Sequence, residues 1–359
     1  MYNERNQKLC AGFEAAGIDA LLVTSLPNIM YLTGFTGSTA MILVTPTKRW
    51  FITDFRYHTQ VAQQVDPSFE LVDNTAKNLI KVVLPSIPGA DGLKRIGFES
   101  TNVSYDMWKM LSADENHEWV PTKAMVEYLR EVKSEAEIEL LRNAVLLNEV
   151  VWQEVLGTLN ENTTEADLVA EIEYRARKRG ATKTSFDPIV ASGANSSKPH
   201  ARFTQDRIVP GTPLTFDMGM LLNGYCSDMT RTVFFRDCPP LWEKIYGIVK
   251  LAKDSANAAV KPGKLGKEID AVARQVIIDA GYGDKFGHGL GHGVGLEVHE
   301  GPRLAQVAEM QLRVGNILTN EPGIYLPGEG GIRIEDMFVV RADGPENLNT
   351  LSTDLQVVG

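Results

Sequence analysis

The stretch "LTFDMGMLLNGYCSDMTRT", residues 214–232, places two aspartates in runs that otherwise have the composition of β-strands. Asn223-Gly224 lies between the runs. This dipeptide is the strongest short-range signal for a two-residue hairpin turn, which needs positive φ at both central residues. The stretch therefore predicts an antiparallel hairpin that carries Asp217 on one strand and Asp228 on the other.

The position of the turn decides how the two aspartates meet. If the turn is centred on Asn223-Gly224, Asp217 pairs with Thr230 and Asp228 lies diagonally across. If the turn begins one residue earlier, the aspartates lie directly opposite each other. Either register puts both carboxylates on one face of the hairpin, within about 8 Å of each other. A three-residue loop would separate them.

Two further acidic residues lie in apolar, strand-like surroundings, Glu321 in "TNEPGIY" and Glu335 in "IRIED". Several carboxylates in such strands repel one another and are costly to bury unless a cation compensates their charge. Oxygen donors with one imidazole suit Mn²⁺, Co²⁺ or Zn²⁺ and differ from the thiolates of a structural zinc site. Since four carboxylates match two divalent ions better than one, the sequence predicts a dinuclear metal site.

The segment "FGHGLGHGVGLEVHEG", residues 286–301, holds three of the six histidines. His288 and His292 have the i, i+4 spacing of a helical zinc motif, but each glycine between them would cost up to about 1 kcal/mol in a helix. We therefore predict an extended segment with both histidines on one face and the glycines open to close approach on the other. His299 joins them only after a bend. One histidine is expected to complete the metal site and the others to serve the reaction.

The chain of 359 residues exceeds the usual size of a single core, so we expect two domains. Residues 1–123 alternate helical and β-type runs, which predicts a compact α/β domain. Residues 124–359 hold one helix from Ser134 to about 156, a second that begins after Thr164 and stops at Gly180, and two more at about 241–260 and 267–280, with β-rich stretches in separate blocks. Ser134 and Glu137 have the spacing of a capping box at the first of these helices. This second part predicts an α+β domain rather than a parallel βαβ sheet.

Composition and charge narrow the functional classes. A net charge of −10 and a pI near 5.2 argue against a nucleic-acid or anionic-membrane partner. No stretch approaches the roughly 18 apolar residues of a membrane helix, and the N-terminus is polar, so we expect a cytoplasmic protein. Cys10, Cys226 and Cys238 have neither C-x-x-C spacing nor an even count, which fits a reducing compartment.

Four segments together resemble a known family: "FDMGMLLNGYCSDMTRT", "HGLGHGVGLEVHE", "EPGIY" and "GGIRIED". They are similar to the metal-dependent Xaa-Pro peptidases, aminopeptidase P and prolidase, and "NIMYLTGFTGSTA" and "FITDFRYHTQ" resemble the N-terminal domain of the same proteins. The resemblance implies an α+β fold with a C-terminal pita-bread (creatinase/aminopeptidase) catalytic domain, residues 124–359. It further implies a smaller α/β creatinase-like N-terminal domain, residues 1–123.

The resemblance also implies a role for each matching residue. Asp217 would chelate one metal ion, Asp228 and Glu335 would bridge both ions, and His292 and Glu321 would complete the second ion's shell. Glu321 would also act in catalysis, by taking the proton from the attacking water. The resemblance also implies that His200, His288 and His299 act in catalysis on the substrate side, and that Arg303 and Arg333 bind the substrate. After "KPHA", where such proteins usually have a proline nearby, this chain reads "RFTQDRI".

Several functional readings stay open at this point. The expected substrates are small proline-containing peptides, cleaved between the N-terminal residue and proline by a dipeptidase or an aminopeptidase. Two divalent ions are expected as cofactors, Mn²⁺ first and Co²⁺ or Zn²⁺ as alternatives, and the resemblance implies a homodimer. A methionine aminopeptidase commonly lacks such a first domain, and a non-catalytic binding scaffold of the same fold would lack metal ligands. A thiol hydrolase would depend on Cys226 as its nucleophile.

Overall fold

The computed structural model describes residues 1–75, 79–87 and 89–359. Contacts divide the chain into two compact units, Met1–Arg130 and Glu131–Gly359. The functional domain boundary that we placed between residues 123 and 124 stays a prediction. The two-domain α+β organisation itself agrees with the expectation from the sequence.

The first unit is built on a six-stranded mixed sheet in the order β4-β3-β2-β1-β5-β6. Its strands are β1 (Ala20–Val23), β2 (Met41–Val44), β3 (Arg49–Thr53), β4 (Glu70–Asp73), β5 (Arg95–Glu99) and β6 (Glu118–Thr122). Its helices are α1 (Tyr2–Cys10), α2 (Phe13–Ala16), α3 (Leu26–Thr33), α4 (His58–Gln64), α5 (Leu84–Ser86), α6 (Tyr105–Ser112) and α7 (Glu127–Arg130). Gly17, with a φ of 64°, ends α2 in the left-handed conformation that glycine adopts without strain.

The second unit contains four long helices: α8 (Glu135–Leu156), α9 (Glu165–Lys178), α10 (Pro240–Ala259) and α11 (Gly266–Asp279). The predicted capping box is confirmed, because the Ser134 backbone N–H and hydroxyl donate to the Glu137 carboxylate at 2.9 and 2.7 Å. Within the described part of the chain, no helix is both long and apolar enough to cross a membrane.

The strands of the second unit form four sheets, in the orders β20-β12-β9-β8, β14-β13-β15-β18-β19, β11-β10-β7 and β16-β17. The first strands are β7 (Lys183–Thr184), β8 (Ile189–Ser192), β9 (Pro213–Met218), β10 (Met220–Leu222), β11 (Tyr225–Cys226) and β12 (Met229–Phe235). The later strands are β13 (Gly291–Gly293), β14 (Glu300–Leu304), β15 (Ile317–Asn320), β16 (Gly323–Leu326), β17 (Gly330–Arg333), β18 (Asp336–Arg341), β19 (Gly344–Asn347) and β20 (Val357–Val358).

The hairpin of residues 214–232 adopts the first of the two predicted registers. Asn223 and Gly224 have φ angles of 51° and 84°, as a two-residue turn requires. Asp217 pairs with Thr230, so the structure confirms a turn centred on Asn223-Gly224. Asp228 follows β11 directly and lies just before β12.

Because side chains alternate between the two faces of each strand, one face packs in the core and the other faces the site. Phe216 and Met218 of β9 pack with Met229 of β12 and with helices α8 and α9 in one apolar cluster. Leu318 and Phe338 belong to a second cluster that includes α10 and α11. Since successive side chains on a strand point to opposite faces, Asp217 lies on the face opposite to the first cluster. The polar site is therefore built on sheet faces that the helices do not cover.

Candidate active site

One cavity of about 630 Å³ in the second unit brings the predicted site residues together. The ten that line it are His200, Asp217, Asp228, His288, His292, His299, Arg303, Glu321, Arg333 and Glu335. Phe186, Asp187, Ile189 and Val298 add apolar and acidic surface to the same wall. The fold thus assembles all the residues selected from the sequence, while their individual roles remain proposals.

Three of these residues form a compact set of ligand atoms. One carboxylate oxygen of Asp228, one of Glu335 and one ring nitrogen of His292 all lie within 4.8 Å of one another. Asp228 and Glu335 are 5% and 2% exposed. The Asp228 backbone N–H meets the Met337 sulfur at 3.2 Å, and the Glu335 N–H donates to the Thr230 carbonyl at 3.1 Å. Strand contacts therefore hold both carboxylates in place.

The hydrogen bonding of the carboxylates fits a bound cation. Among the residues that the structure describes, no partner is present for Asp217 Oδ1, Asp228 Oδ1 or Glu335 Oε1, although all three oxygens are buried. Buried carboxylate oxygens are nearly always hydrogen-bonded or bound to metal, because leaving them bare costs free energy. The donor set of carboxylates with one imidazole matches divalent ions such as Mn²⁺, Co²⁺ and Zn²⁺.

His292 is oriented as a ligand by its own backbone. Its Nδ1 lies 3.1 Å from the Gly293 carbonyl, which can only accept, so Nδ1 carries the proton. The Nε2 lone pair then points towards Asp228 Oδ2 at 3.7 Å and Glu321 Oε1 at 3.4 Å. This nitrogen is therefore available to a cation between the carboxylates.

The glycines around His292 act as the sequence predicted. A Cβ atom at Gly291 would lie 2.1 Å from the Thr319 carbonyl oxygen, and one at Gly293 would lie 2.2 Å from the Gly301 carbonyl oxygen. Neighbouring backbone thus occupies the face opposite the histidine side chain. A shift in the pairing between β13 and β14 follows His292, and His299 comes back to within 4.4 Å of the His292 ring centre.

Arg333 and Tyr325 link the metal-ligand side of the cavity to His288. The Arg333 guanidinium donates to Asp217 Oδ2 at 2.6 Å and to the Tyr325 hydroxyl at 2.9 Å. Tyr325 in turn lies 2.9 Å from His288 Nε2. Since arginine only donates, the tyrosine O–H is free to donate to His288. The structure therefore shows Arg333 bound to a carboxylate of the site, and its predicted contact with substrate stays a proposal.

Sequence reasoning missed two residues of this network. Tyr325 was present in "EPGIY" but received no role, although it is only 7% exposed and joins His288 to Arg333. Thr230, recognised only as a pairing position, donates to Glu335 Oε2 at 2.6 Å and accepts from Arg333 at 3.1 Å. Both residues could have been found in the sequence, because each is a polar residue that lies on the same strand face as a predicted metal ligand or directly beside such a ligand.

Burial strongly shifts the pKa values of several carboxyl and imidazole groups in the site. It raises the pKa of Glu321 to about 8, with Arg333 opposing the shift and Asp217 adding to it. Burial, and then the neighbouring carboxylates, raise the pKa of Asp228 well above its ordinary value. Burial lowers the pKa of both His288 and His292 to about 4. At neutral pH both imidazoles are therefore neutral. Full ionisation of the carboxyl groups is unfavourable unless a cation compensates their charge.

The remaining predicted residues lie at the exposed part of the cavity. His200, His299 and Arg303 are solvent-exposed cavity residues. The segment after His200, which departs from the expected proline, is tied down by the buried carboxylate of Glu165. That carboxylate accepts from the Ser192 and Thr204 backbone N–H groups, each at 2.7 Å. The altered segment thus still places His200 on the cavity wall.

The thiol alternative finds no support in the structure. Cys226 is 4% exposed, and burial raises the pKa of its thiol to about 11. A thiol nucleophile needs a lowered pKa and access to the substrate. Cys226 packs instead with Tyr225, Val294 and Met337 in an apolar cluster.

Comparison with known proteins identifies the family. Residues 139–342 match the model of metallopeptidase family M24, and residues 5–132 match the creatinase/prolidase N-terminal domain. An Xaa-Pro dipeptidase of Pyrococcus horikoshii is 33% identical over 98% of this chain and 99% of its own length.

Two solved structures have the same fold over almost all of both chains. The Xaa-Pro dipeptidase from Bacillus anthracis superposes with a TM-score of 0.96 at 36% identity, covering 100% of each chain. The X-Pro aminopeptidase from Thermotoga maritima gives 0.90 at 35% identity, covering 97% of this chain and 100% of its own. The chain belongs to metallopeptidase family M24, with a creatinase-type N-terminal domain.

Proposed function

We propose that this protein is an Xaa-Pro peptidase, which hydrolyses the peptide bond between an N-terminal residue and a following proline. The proposal is carried by the carboxylates beside His292, whose buried oxygens have no hydrogen-bond partner among the described residues, in a chain of family M24. The three relatives described above are two Xaa-Pro dipeptidases and one X-Pro aminopeptidase, which supports the proposed specificity for proline.

The proposed metal ligands are Asp217, Asp228, His292, Glu321 and Glu335. Divalent ions in such a site act as Lewis acids that polarise the peptide carbonyl and make water nucleophilic at neutral pH. Asp217, Asp228 and Glu335 contribute the buried oxygens that have no hydrogen-bond partner among the described residues. Arg333 and Thr230 then hold the other oxygens of Asp217 and Glu335 in position.

Glu321 is the proposed carrier of the proton. Burial raises the pKa of this partly buried carboxyl to about 8, which supports a role in accepting a proton. Removing a proton from the attacking water and giving it to the leaving proline nitrogen are the two proton transfers that peptide hydrolysis needs. The Thr319 hydroxyl, 3.2 Å from Glu321 Oε1, orients the carboxylate for this exchange.

Three exposed cavity residues are proposed to bind the substrate. His200 and His299 offer imidazole groups to the scissile carbonyl and the ends of the peptide. Arg303 is exposed and lines the cavity. An exposed guanidinium at this place suits the terminal carboxylate of a dipeptide, which it binds with two parallel hydrogen bonds. This charge favours the dipeptidase over the aminopeptidase.

The proposal also covers the identity of the metal ion, the oligomeric state and the cellular location. We expect Mn²⁺ because an oxygen-rich ligand set suits it, with Co²⁺ and Zn²⁺ also compatible. A homodimer is expected from the family resemblance. A cytoplasmic location accords with the three cysteines, Cys10, Cys226 and Cys238, which are all free thiols.

The test is hydrolysis of a matched pair of peptides, Ala-Pro and Ala-Pro-Ala, by protein stripped of metal and reloaded with Mn²⁺, Co²⁺ or Zn²⁺. Asp228→Ala should abolish cleavage, while Asp254→Ala, an exposed carboxylate paired with Lys250, should not change it. Cleavage of Ala-Pro alone establishes a dipeptidase, and cleavage of Ala-Pro-Ala establishes an aminopeptidase. If neither peptide is cleaved with any metal, the proposal fails, and Met-peptide cleavage or peptide binding without turnover becomes the next hypothesis.

A further inference from the structure

A buried ion pair on helix α11 lies outside the set of cavity-lining residues. Arg274 Nε lies 2.8 Å from Asp270 Oδ2, and Arg274 Nη2 lies 2.9 Å from Asp270 Oδ1. The side chains are 12% and 1% exposed. A fully buried carboxylate is costly unless its partner and its other hydrogen bonds are well placed. The remaining contacts of this pair therefore matter.

Both members of the pair bind the segment 286–290. Arg274 donates to the Phe286 carbonyl and to the His288 carbonyl, each at 2.8 Å. Asp270 Oδ1 accepts from the Leu290 backbone N–H at 3.0 Å. The guanidinium also lies 4.2 Å from the centre of the Phe286 ring. One ion pair thus holds three alternate residues of a single short segment.

This segment carries His288 into the cavity and has little intrinsic rigidity. Gly287 and Gly289 flank His288, and an added Cβ at Gly287 would meet nothing within 4 Å. Glycine has the largest conformational freedom to lose on folding, so such a segment needs external contacts to hold one conformation. The hydrogen bonds from α11 supply such contacts at the residues on both sides of each glycine.

Both the backbone and the side chain of His288 are hydrogen-bonded: Arg274 binds its carbonyl, and Gly289 and Tyr325 bind its ring. Its Nδ1 donates to the Gly289 carbonyl at 2.8 Å, and its Nε2 lies 2.9 Å from the Tyr325 hydroxyl. Because the ring sits at the end of this short tether, a shift of the backbone moves the imidazole relative to Tyr325 and the cavity. The backbone contacts from Arg274 therefore set where the ring lies.

We propose that Asp270 and Arg274 are positioning residues, which fix His288 for the reaction by clamping the segment 286–290 to helix α11. The proposal rests on the proposed function and on the catalytic role that the family resemblance implies for His288, which lines the cavity. Misplacing a catalytic group by about 1 Å can cost about 100-fold in rate. The clamp therefore acts on turnover without touching substrate or metal.

Arg274→Lys is the main test, because lysine keeps the charge but lacks the planar fork that reaches Asp270 and two carbonyls at once. We expect kcat/KM for Ala-Pro to fall about 10- to 100-fold, with wild-type metal content. Arg175→Lys is the matched control. Arg175 makes an i, i+4 ion pair with Glu171 at 2.7 Å on helix α9, and this variant should stay within about two-fold of wild type.

Two measurements separate positioning from a general loss of structure. In a His288→Ala background, Arg274→Lys should cause no further loss, because the two residues act through one path. In Zn²⁺-loaded protein labelled with ¹⁵N-histidine, Arg274→Lys should move the imidazole signals of His288 and leave those of His292 in place. Equal losses in both backgrounds, or unchanged His288 signals, would overturn the proposal.

The proposal can still be tested if a variant does not fold or if the wild type is inactive. If Arg274→Lys does not fold, Asp270→Asn, which keeps the size and one acceptor oxygen, is measured in its place. If neither variant folds, the pair is a requirement of folding and the positioning role is rejected. If the wild type cleaves no Xaa-Pro peptide, the proposed function fails, and the His288 signals alone decide whether the clamp fixes the ring.

Discussion

Replacing Glu321 by glutamine should stabilise the metal-free protein while it abolishes activity. Glu321, whose side chain is 17% exposed, lies in a cluster with Asp217, Asp228 and Glu335, and burial raises its pKa from 4.5 to about 8. A carboxyl whose pKa is raised on folding stabilises the folded protein fully below its unfolded pKa, and this contribution is lost as the pH rises through about 8. Glutamine keeps the shape of the side chain but has no charge to bury.

The magnitude follows from that shift. At pH 7 the unfolded carboxyl is ionised while the folded one is still largely protonated. Each pH unit above 4.5 therefore costs about 1.4 kcal/mol, or roughly 3 kcal/mol in total. Metal-free wild-type protein should lose about this much stability between pH 4.5 and 7, in addition to the changes from its other groups. Glu321→Gln should lack this part of the loss.

Urea unfolding of chelator-treated protein at pH 5 and pH 8 measures the difference. Glu309→Gln is the matched control, because Glu309 is an exposed carboxylate paired with Lys267 and should change the free energy of unfolding by less than about 0.5 kcal/mol. Adding Mn²⁺ should raise the stability of the wild type and have a weaker effect on Glu321→Gln. The reasoning is refuted if metal-free Glu321→Gln is no more stable than wild type at pH 8.

Three other substitutions or reactions test separate parts of the structure. Arg303→Met should raise KM for Ala-Pro about 10- to 100-fold, the loss of one charge-assisted contact, and should leave cleavage of Ala-Pro-amide nearly unchanged; equal effects on both substrates in steady-state kinetics would contradict carboxylate binding. Asp336→Asn should lower the free energy of unfolding by about 3–5 kcal/mol in denaturant titrations, because Arg231 and Lys253, at 2.7 and 2.5 Å from its oxygens, would become buried and unpaired charges. Cys226, with its pKa near 11, should react with iodoacetamide at pH 8 only after unfolding, and rapid labelling of the folded protein in mass spectrometry would show that the site is open.

Local rules predicted much of the second unit from the sequence. The capping residues Ser134 and Thr164 marked the starts of helices α8 and α9 to the residue, because caps act within one turn of chain. Asn223-Gly224 fixed the hairpin register, since positive φ at both positions is a property of those residues. Glycines at alternate positions correctly indicated close backbone contacts around His292.

The same local rules do not predict contacts between residues that are far apart in the sequence. Arg333 binds Asp217 across 116 residues of sequence, and Asn316 binds the Glu131 carbonyl across 185. The shared parity of Tyr325 and Glu321 indicates that Tyr325 could face the site, but it does not identify the hydrogen bonds that join His288 to Arg333. These partners depend on how two sheets face each other, which no local pattern records.

Local patterns in the chain predicted the helices and hairpin of the second unit, the strand faces of the acidic residues and the expectation of a cation, because strand parity, turn chemistry and the cost of buried charge are local properties. The folded chain was needed to show which carboxylate oxygens lack a partner among the described residues, which nitrogen of His292 faces them, and that α11 binds the segment of His288. These features follow from side chains that meet across distant strands and helices, where distances of a few tenths of an ångström separate a hydrogen bond from none.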